Sequence, residues 1–139
     1  SKLAITYIDE NENNLLNQLC INNIDNLELI QYLVEFNIDI YSKNIYGNNC
    51  IFNFIIDQND NFTIYKYLLN LPKISKSYNN NLDTLYHILI ENNYKIDYIN
   101  YLYNLNKNIN LINKDLNSAL HLSIYKKNYD IVNFLIKKN

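Results

Sequence analysis

Two histidines and two cysteines are the side chains in this 139-residue chain that most readily support acid–base, metal or nucleophilic chemistry. Their placement argues against each use. His87 and His121 lie 34 residues apart, and neither has an Asp, Glu or Cys at a spacing that completes a zinc set or orients a general base. Cys20 and Cys50 each sit among apolar neighbours, where a free thiol behaves as a small hydrophobe and no disulfide framework is implied. The carboxylates are scattered over polar positions and form no acid–base pair. A single glycine excludes phosphate-cradling loops, and no HExxH, GxSxG or CxxC occurs. Asn61-Phe62-Thr63 has the form of an N-glycosylation triplet, read here as chance in an Asn-rich chain with no secretory signal. No catalytic, metal-binding or cofactor-binding residue is therefore expected, and the chain is read as not an enzyme.

The elements that would position these side chains recur. Leu33, Leu68, Leu102 and Leu135 share one column at spacings of 35, 34 and 33, inside the segments ELIQYLVEFN, TIYKYLLNLP, DYINYLYNLN and DIVNFLIKKN. The segments NLLNQLC, NCIFNFI, TLYHILI and SALHLSI begin at Asn14, Asn49, Thr84 and Ser118, spaced 35, 35 and 34. Two helical patterns per period in the low thirties are a repeat-array signature, and that period outranks any local reading. Helices are predicted near 14–21 and 27–36, 49–57 and 63–71, 84–91 and 97–105, with a further pair after 113. Gly47 and Pro72 fall in the connections, as breakers should. Asn14, Asn49, Thr84 and Ser118 can each cap the helix that follows. Asn22-Asn23, Gln58-Asn59, Asn92-Asn93 and Lys127-Asn128 stand where a left-handed residue is wanted.

Composition fits such an array. Hydrophobic residues make up 48% of the chain, enough for units that bury their apolar faces against neighbours. The net charge is −2, and all 12 basic residues are Lys. No clustered positive field or guanidinium fork is available, so nucleic acid is not an expected partner. The excess of Asn, Ile, Lys and Tyr reflects an AT-rich genome. No apolar run reaches membrane-spanning length, so direct membrane insertion is not expected, and two unpaired thiols point to an intracellular, cytoplasmic setting. Ser1 without an initiator Met reads as the start of an excised segment, and 1–7 reads as extended.

SALHLSI and TLYHILI resemble the TPLHLAA segment of ankyrin repeats, and YDIVNFL resembles that family's HxEIVxLL segment. Asn37, Pro72, Asn106 and Asn139 stand where the family has the Gly of GADVN. The resemblance runs along the whole chain. Phe52, His87 and His121 fall at the TPLH histidine; in the first repeat Asn17 takes that place, and ELIQYL carries the match. Leu15, Cys50, Leu85 and Ala119 replace the proline. The resemblance implies an all-α, ankyrin-type helix-turn-helix solenoid with extended loop fingers and no central sheet. It implies one domain over 1–139, with repeats at 9–43, 44–78, 79–112 and 113–139, and with 1–8 as the trailing loop of a preceding unit. For His87 and His121 it implies a structural role, an imidazole bonded to the cap hydroxyl and a neighbouring loop.

The family's concave binding surface maps onto Tyr46 and Asn48; Tyr78, Asn80, Asn81 and Asp83; and Ile112, Lys114, Asp115 and Asn117 on the fingers. Asp57, Glu91, Asn92, Tyr125 and Lys126 supply the inner-helix edge. Exposed Tyr amid Asn and mixed charge suits recognition of a protein or peptide partner. Tyr32, Tyr65, Tyr67, Tyr98 and Tyr101 are assigned instead to the core or its margin. The expected function is a monomeric, non-catalytic interaction module. The alternative is a substrate-recruiting or regulatory segment of a larger enzyme, such as an ankyrin-bearing acyltransferase or a ubiquitin-ligase adaptor.

Overall fold

The computed structural model describes residues 5–23 and 25–139. Helices α1 (Leu15–Ile21), α2 (Leu27–Glu35), α3 (Cys50–Ile56), α4 (Phe62–Leu69), α5 (Leu85–Glu91), α6 (Ile96–Leu105), α7 (Ala119–Tyr125) and α8 (Tyr129–Lys138) follow in order, with a 3₁₀ turn at Ile74–Lys76. No strand is named among the described residues. The extended legs of two fingers close only through isolated antiparallel bridges, Ile8 with Asn14 and Tyr78 with Thr84. The chain forms two compact units, Ser1–Ile74 and Ser75–Asn139.

In the first unit α1 pairs with α2, α3 pairs with α4, and α1 packs on α3. In the second, α5 pairs with α6 and α7 with α8, α5 packs on α7, and α6 packs on α8. The aligned leucines hold these layers. Leu33, Leu68, Leu102 and Leu135 are all buried, each contributing about 1.5–3 kcal/mol through removal from water. Leu16 and Cys20 of α1 meet a core that includes Ile51 and Ile55, and Tyr86 and Ile90 are the counterparts in α5.

Helix starts follow the predicted caps. The side-chain oxygens of Asn14 and Asn49 accept from the amides of Asn17 and Phe52, at 2.9 and 3.3 Å. Asn26, Asn61 and Asn128 do the same for α2, α4 and α8 through Leu29, Ile64 and Ile131. Asn61, the sequon asparagine, thus has its carbonyl in a helix cap and its amide donating to Asp25. Inner helices end as expected in left-handed residues, with φ of 54° at Asn23, 61° at Gln58, 59° at Asn93 and 58° at Lys127.

Three local expectations are corrected. The extended reading of 1–7 lies outside the described residues for 1–4, and Ile5 and Thr6 are helical; an alternation three side chains deep is too short to separate period 2 from one turn of helix. Tyr32 is 56% exposed, packing its ring 4.6 Å from that of Phe36. At 3.6 residues per turn it lies about 130° from the buried stripe of Ile30 and Leu33. At the place of the family glycine Asn37 is left-handed (φ 61°), but after α4 Lys73 takes that conformation (φ 64°), because the ring of Pro72 forbids positive φ. Asn106 is extended there, with φ −144°.

Candidate interaction surface

Each finger tip is built on one short side chain. The Oδ1 of Asn44 accepts from the amides of Tyr46 and Asn48, that of Asn79 from Asn81 and Asp83, and that of Asn113 from Asp115 and Asn117, all between 2.9 and 3.1 Å. Asp9 does the same for Asn11 and Asn13, and these bonds, that from Asn13 foremost, hold its carboxyl below the usual carboxylate range. In all four, the backbone amide of this residue donates to the carbonyl four residues on. The third residue after it is left-handed, Glu12, Gly47, Leu82 and Leu116, with φ from 60° to 78°. Asp9, Asn44, Asn79 and Asn113 are spaced 35, 35 and 34, the period of the leucine column. That recurrence, at the start of each expected repeat, is the sequence signal for these turn-forming residues.

In the second unit neighbouring fingers are tied together. The Lys114 amide donates to the Asn81 carbonyl at 2.9 Å, Asn113 Nδ2 to Asp83 at 2.8 Å, and Asn81 Nδ2 to Asp115 at 3.1 Å. His87, 1% exposed, adds the deepest link. Its Nδ1 lies 3.0 Å from the Thr84 amide, which can only donate, so Nδ1 accepts and Nε2 carries the hydrogen. Nε2 then donates to the Asn117 carbonyl at 2.8 Å, joining the α5 cap to the next finger. His121 makes the corresponding bonds to Ser118 and is exposed. Asn17, at the histidine place of the first repeat, reaches the Ser42 carbonyl instead, at 3.1 Å.

The first unit has the same finger-to-finger backbone bond, from the Ile45 amide to the Asn11 carbonyl at 3.0 Å. Its side-chain tie differs. Asn44 Nδ2 turns to Asn53 Oδ1 at 3.3 Å, and Asn13 Oδ1, Asn48 Oδ1 and Asn53 Nδ2 lie buried without a hydrogen-bond partner. Leu122 fills the Asn53 place in α7 and offers no acceptor, so Asn113 is left to Asp83.

Within the second unit the expected site residues line two depressions. Asn81, Asp83, Glu91, Asp115 and Asn117 line a cleft of ≈ 280 Å³ between the fingers and the inner helices of the second unit, with His87 in its floor. Glu91 pairs across this face with Lys126 at 3.5 Å, and Asn92 and Lys126 are the C-caps of α5 and α7. Lys114 is exposed on the finger beside it, Tyr125 is 85% exposed at the end of α7, and Asn80 is exposed. Tyr78 and Ile112 line a different depression, a groove of ≈ 610 Å³ that also includes Leu105 and Leu111. Tyr46 and Asp57 are exposed and Asn48 is half-buried, all three in the first unit.

The Thr84 hydroxyl, 2.9 Å from His87 Nδ1, is engaged in the α5 cap. Burial pushes the Cys50 thiol up to about 12 and the Cys20 thiol well above its ordinary value. No group of three His, Cys, Asp or Glu side chains among the described residues is arranged to hold a metal ion, and no helix among them is long and apolar enough to cross a membrane.

Helical hairpins with finger turns and histidine caps at a common period are matched by the family model for ankyrin repeats (3 copies), over residues 52–139. The chain belongs to the ankyrin-repeat family. No curated protein matches it. The matched span opens at Phe52 and takes in both ankyrin histidines. The ankyrin-like hairpin of α1 and α2 lies before it, where Asn17 replaces the histidine although cap and finger turn are retained. Ankyrin repeats are generally protein–protein interaction modules.

Proposed function

We propose that this chain is a non-catalytic protein-interaction module that holds a protein or peptide segment in the cleft between its fingers and inner-helix ends. One observation carries the reading: the backbone of these fingers is held by hydrogen bonds within and between them, while side chains such as Lys114 and Asp115 stay exposed to solvent. A surface already ordered loses little entropy on binding. The cleft is lined by Asp83, Glu91 and Asp115, with Lys126 paired to Glu91 and Lys114 on the finger beside it; its three carboxylates favour a segment that presents Lys or Arg, with Tyr125 as an aromatic contact beside it. The module works as a monomer in the cytoplasm and without nucleic acid; two buried, unpaired thiols, the net charge of −2 and the lack of Arg support that part.

The test is affinity capture on the whole chain, followed by mass spectrometry, beside the variant Glu91→Lys/Tyr125→Ala/Asp115→Lys. These side chains are exposed, so circular dichroism should be unchanged while captured proteins are lost. Capture that survives the triple variant moves the contact off this cleft.

A further inference from the structure

The same two fingers present a second and chemically opposite surface. The groove of ≈ 610 Å³ lies between the legs of the fingers and the end of α6, and Tyr78, Leu82, Leu105, Leu111 and Ile112 form its walls. Each of these is between 38% and 53% exposed, so large apolar side chains are concentrated here in contact with solvent. The groove is held open from beneath. The Tyr86 hydroxyl donates to the Asn106 carbonyl, Asn106 Nδ2 donates to the Ser75 carbonyl at 3.0 Å, and the Asn108 amide donates back to Asn106 Oδ1 at 3.1 Å. Leu82 stands in the left-handed region with φ 60°, where the second repeat has Gly47. Its side chain lines the groove, where a glycine would leave a bare turn.

Charge selects the occupant. Lys76 and Lys107 line the groove and no carboxylate does, whereas Asp83, Glu91 and Asp115 line the cleft on the other side of the fingers. Lys107 is positioned by its Nζ, 4.5 Å from the centre of the Tyr103 ring. We infer that this groove is a docking site for an extended peptide segment of a partner protein in which leucine-like side chains alternate with Asp or Glu, the apolar ones on Tyr78, Leu105 and Ile112 and the carboxylates at Lys76 and Lys107. The inference is independent of the cleft: a partner that uses both faces must be basic on one and acidic on the other.

Two fluorescein-labelled peptides with the same leucines, one carrying glutamates and the other lysines between them, test it by fluorescence anisotropy on the whole chain. The glutamate peptide should bind at least tenfold tighter, and its affinity should fall with added salt. Lys76→Glu/Lys107→Glu should weaken it at least tenfold, Leu105→Asn should weaken it severalfold, and Lys107→Arg, which keeps a cation over the Tyr103 ring, should retain it. Glu91→Lys/Asp115→Lys, which disables the cleft, should leave it unchanged, so failure of one surface is read separately from failure of the other. Equal binding of the two peptides, or binding indifferent to Lys76 and Lys107 in a variant with unchanged circular dichroism, overturns the inference. So does oleate binding, read by isothermal titration calorimetry, together with no binding of the glutamate peptide, since the groove would then take an amphiphile instead.

Discussion

His87 and His121 form an internal experiment, because the same residue occupies the same place in consecutive repeats with different surroundings. His87→Ala removes the acceptor for the Thr84 amide and hydroxyl and the donor to the Asn117 carbonyl. The site is 1% exposed, so the Thr84 amide is left inside the protein without an acceptor, the Asn117 carbonyl keeps only the Asn113 amide, and the packing of the ring is lost as well. An orphaned buried polar group costs about 1–3 kcal/mol. Water entering the vacated space recovers part of that, and the net loss should be about 2–4 kcal/mol. His121→Ala removes only the local bonds to Ser118 at an exposed site, for about 0.5–1 kcal/mol, the scale of a helix cap. With a urea dependence of about 1–3 kcal/mol per M, the midpoint should fall by roughly 1–2 M for His87→Ala and by a few tenths for His121→Ala. Far-ultraviolet circular dichroism against urea on both variants and the parent decides it. Equal shifts would mean that the link from Nε2 to the next finger contributes nothing, and an unmoved midpoint for His87→Ala would refute the structural role altogether.

Leu102→Ala should cost about 2–5 kcal/mol, as a cavity forms at a site with no exposed surface; a urea midpoint equal to the parent's would show that the leucine column is not the core. Asn113→Ala removes the acceptor for two finger amides and the donor to Asp83, so hydrogen exchange at Asp115 and Asn117 should speed up at least tenfold with the helical signal kept. Iodoacetamide should label Cys20 and Cys50 only as fast as the chain opens, because both thiols are buried and their ionisation is suppressed; rapid labelling without urea would contradict their placement. Burial raises the folded Cys50 above its ordinary value of 9.0, to about 12. In that window only the unfolded chain releases the proton, so this contribution is intact below pH 9 and falls as pH rises toward 12, which alkaline urea titrations of the parent and Cys50→Ala can measure.

The parts legible in the sequence were those fixed by short-range periodicity. The leucine column is one residue type at one phase, the inner-helix caps are side chains with an acceptor oxygen at a second phase, and the four left-handed endings follow them at a fixed offset. The outer-helix caps Asn26, Asn61 and Asn128 were equally readable in principle, since each precedes an apolar stripe. The division of the expected site residues over two surfaces was not. Tyr78 lines the groove and Asn81 the cleft, three residues apart on one finger, and the turn between them decides which side each serves. That depends on the left-handed residue at Leu82 and the bond from Asn79 Oδ1 to Asp83, neither of which has a sequence signature beyond the repeat phase. Tyr32 departs from the other outer-helix tyrosines because its angle on α2 turns it away from the buried stripe of Ile30 and Leu33.

The asparagines carry a further step. A codon bias raises their number without regard to where they fall in the repeat, yet Asn44, Asn79 and Asn113 stand at one phase and Asn14 and Asn49 at another. Asp9 shows that the finger turn itself needs only an acceptor, since a carboxylate holds the same two amides there. What a carboxylate does not supply is a donor. Asn113 uses one atom of its amide to shape its own finger and the other to reach Asp83 on the finger before. This side-chain link between fingers in the second unit therefore depends on an amide at this phase and a carboxylate at the phase of Asp83, a pairing that the first unit, where Asn44 Nδ2 goes to Asn53 and Asn13 holds the place of Asp83, does not reproduce. Bias supplied the residue, and the geometry of adjacent fingers determines where it has two bonds to make.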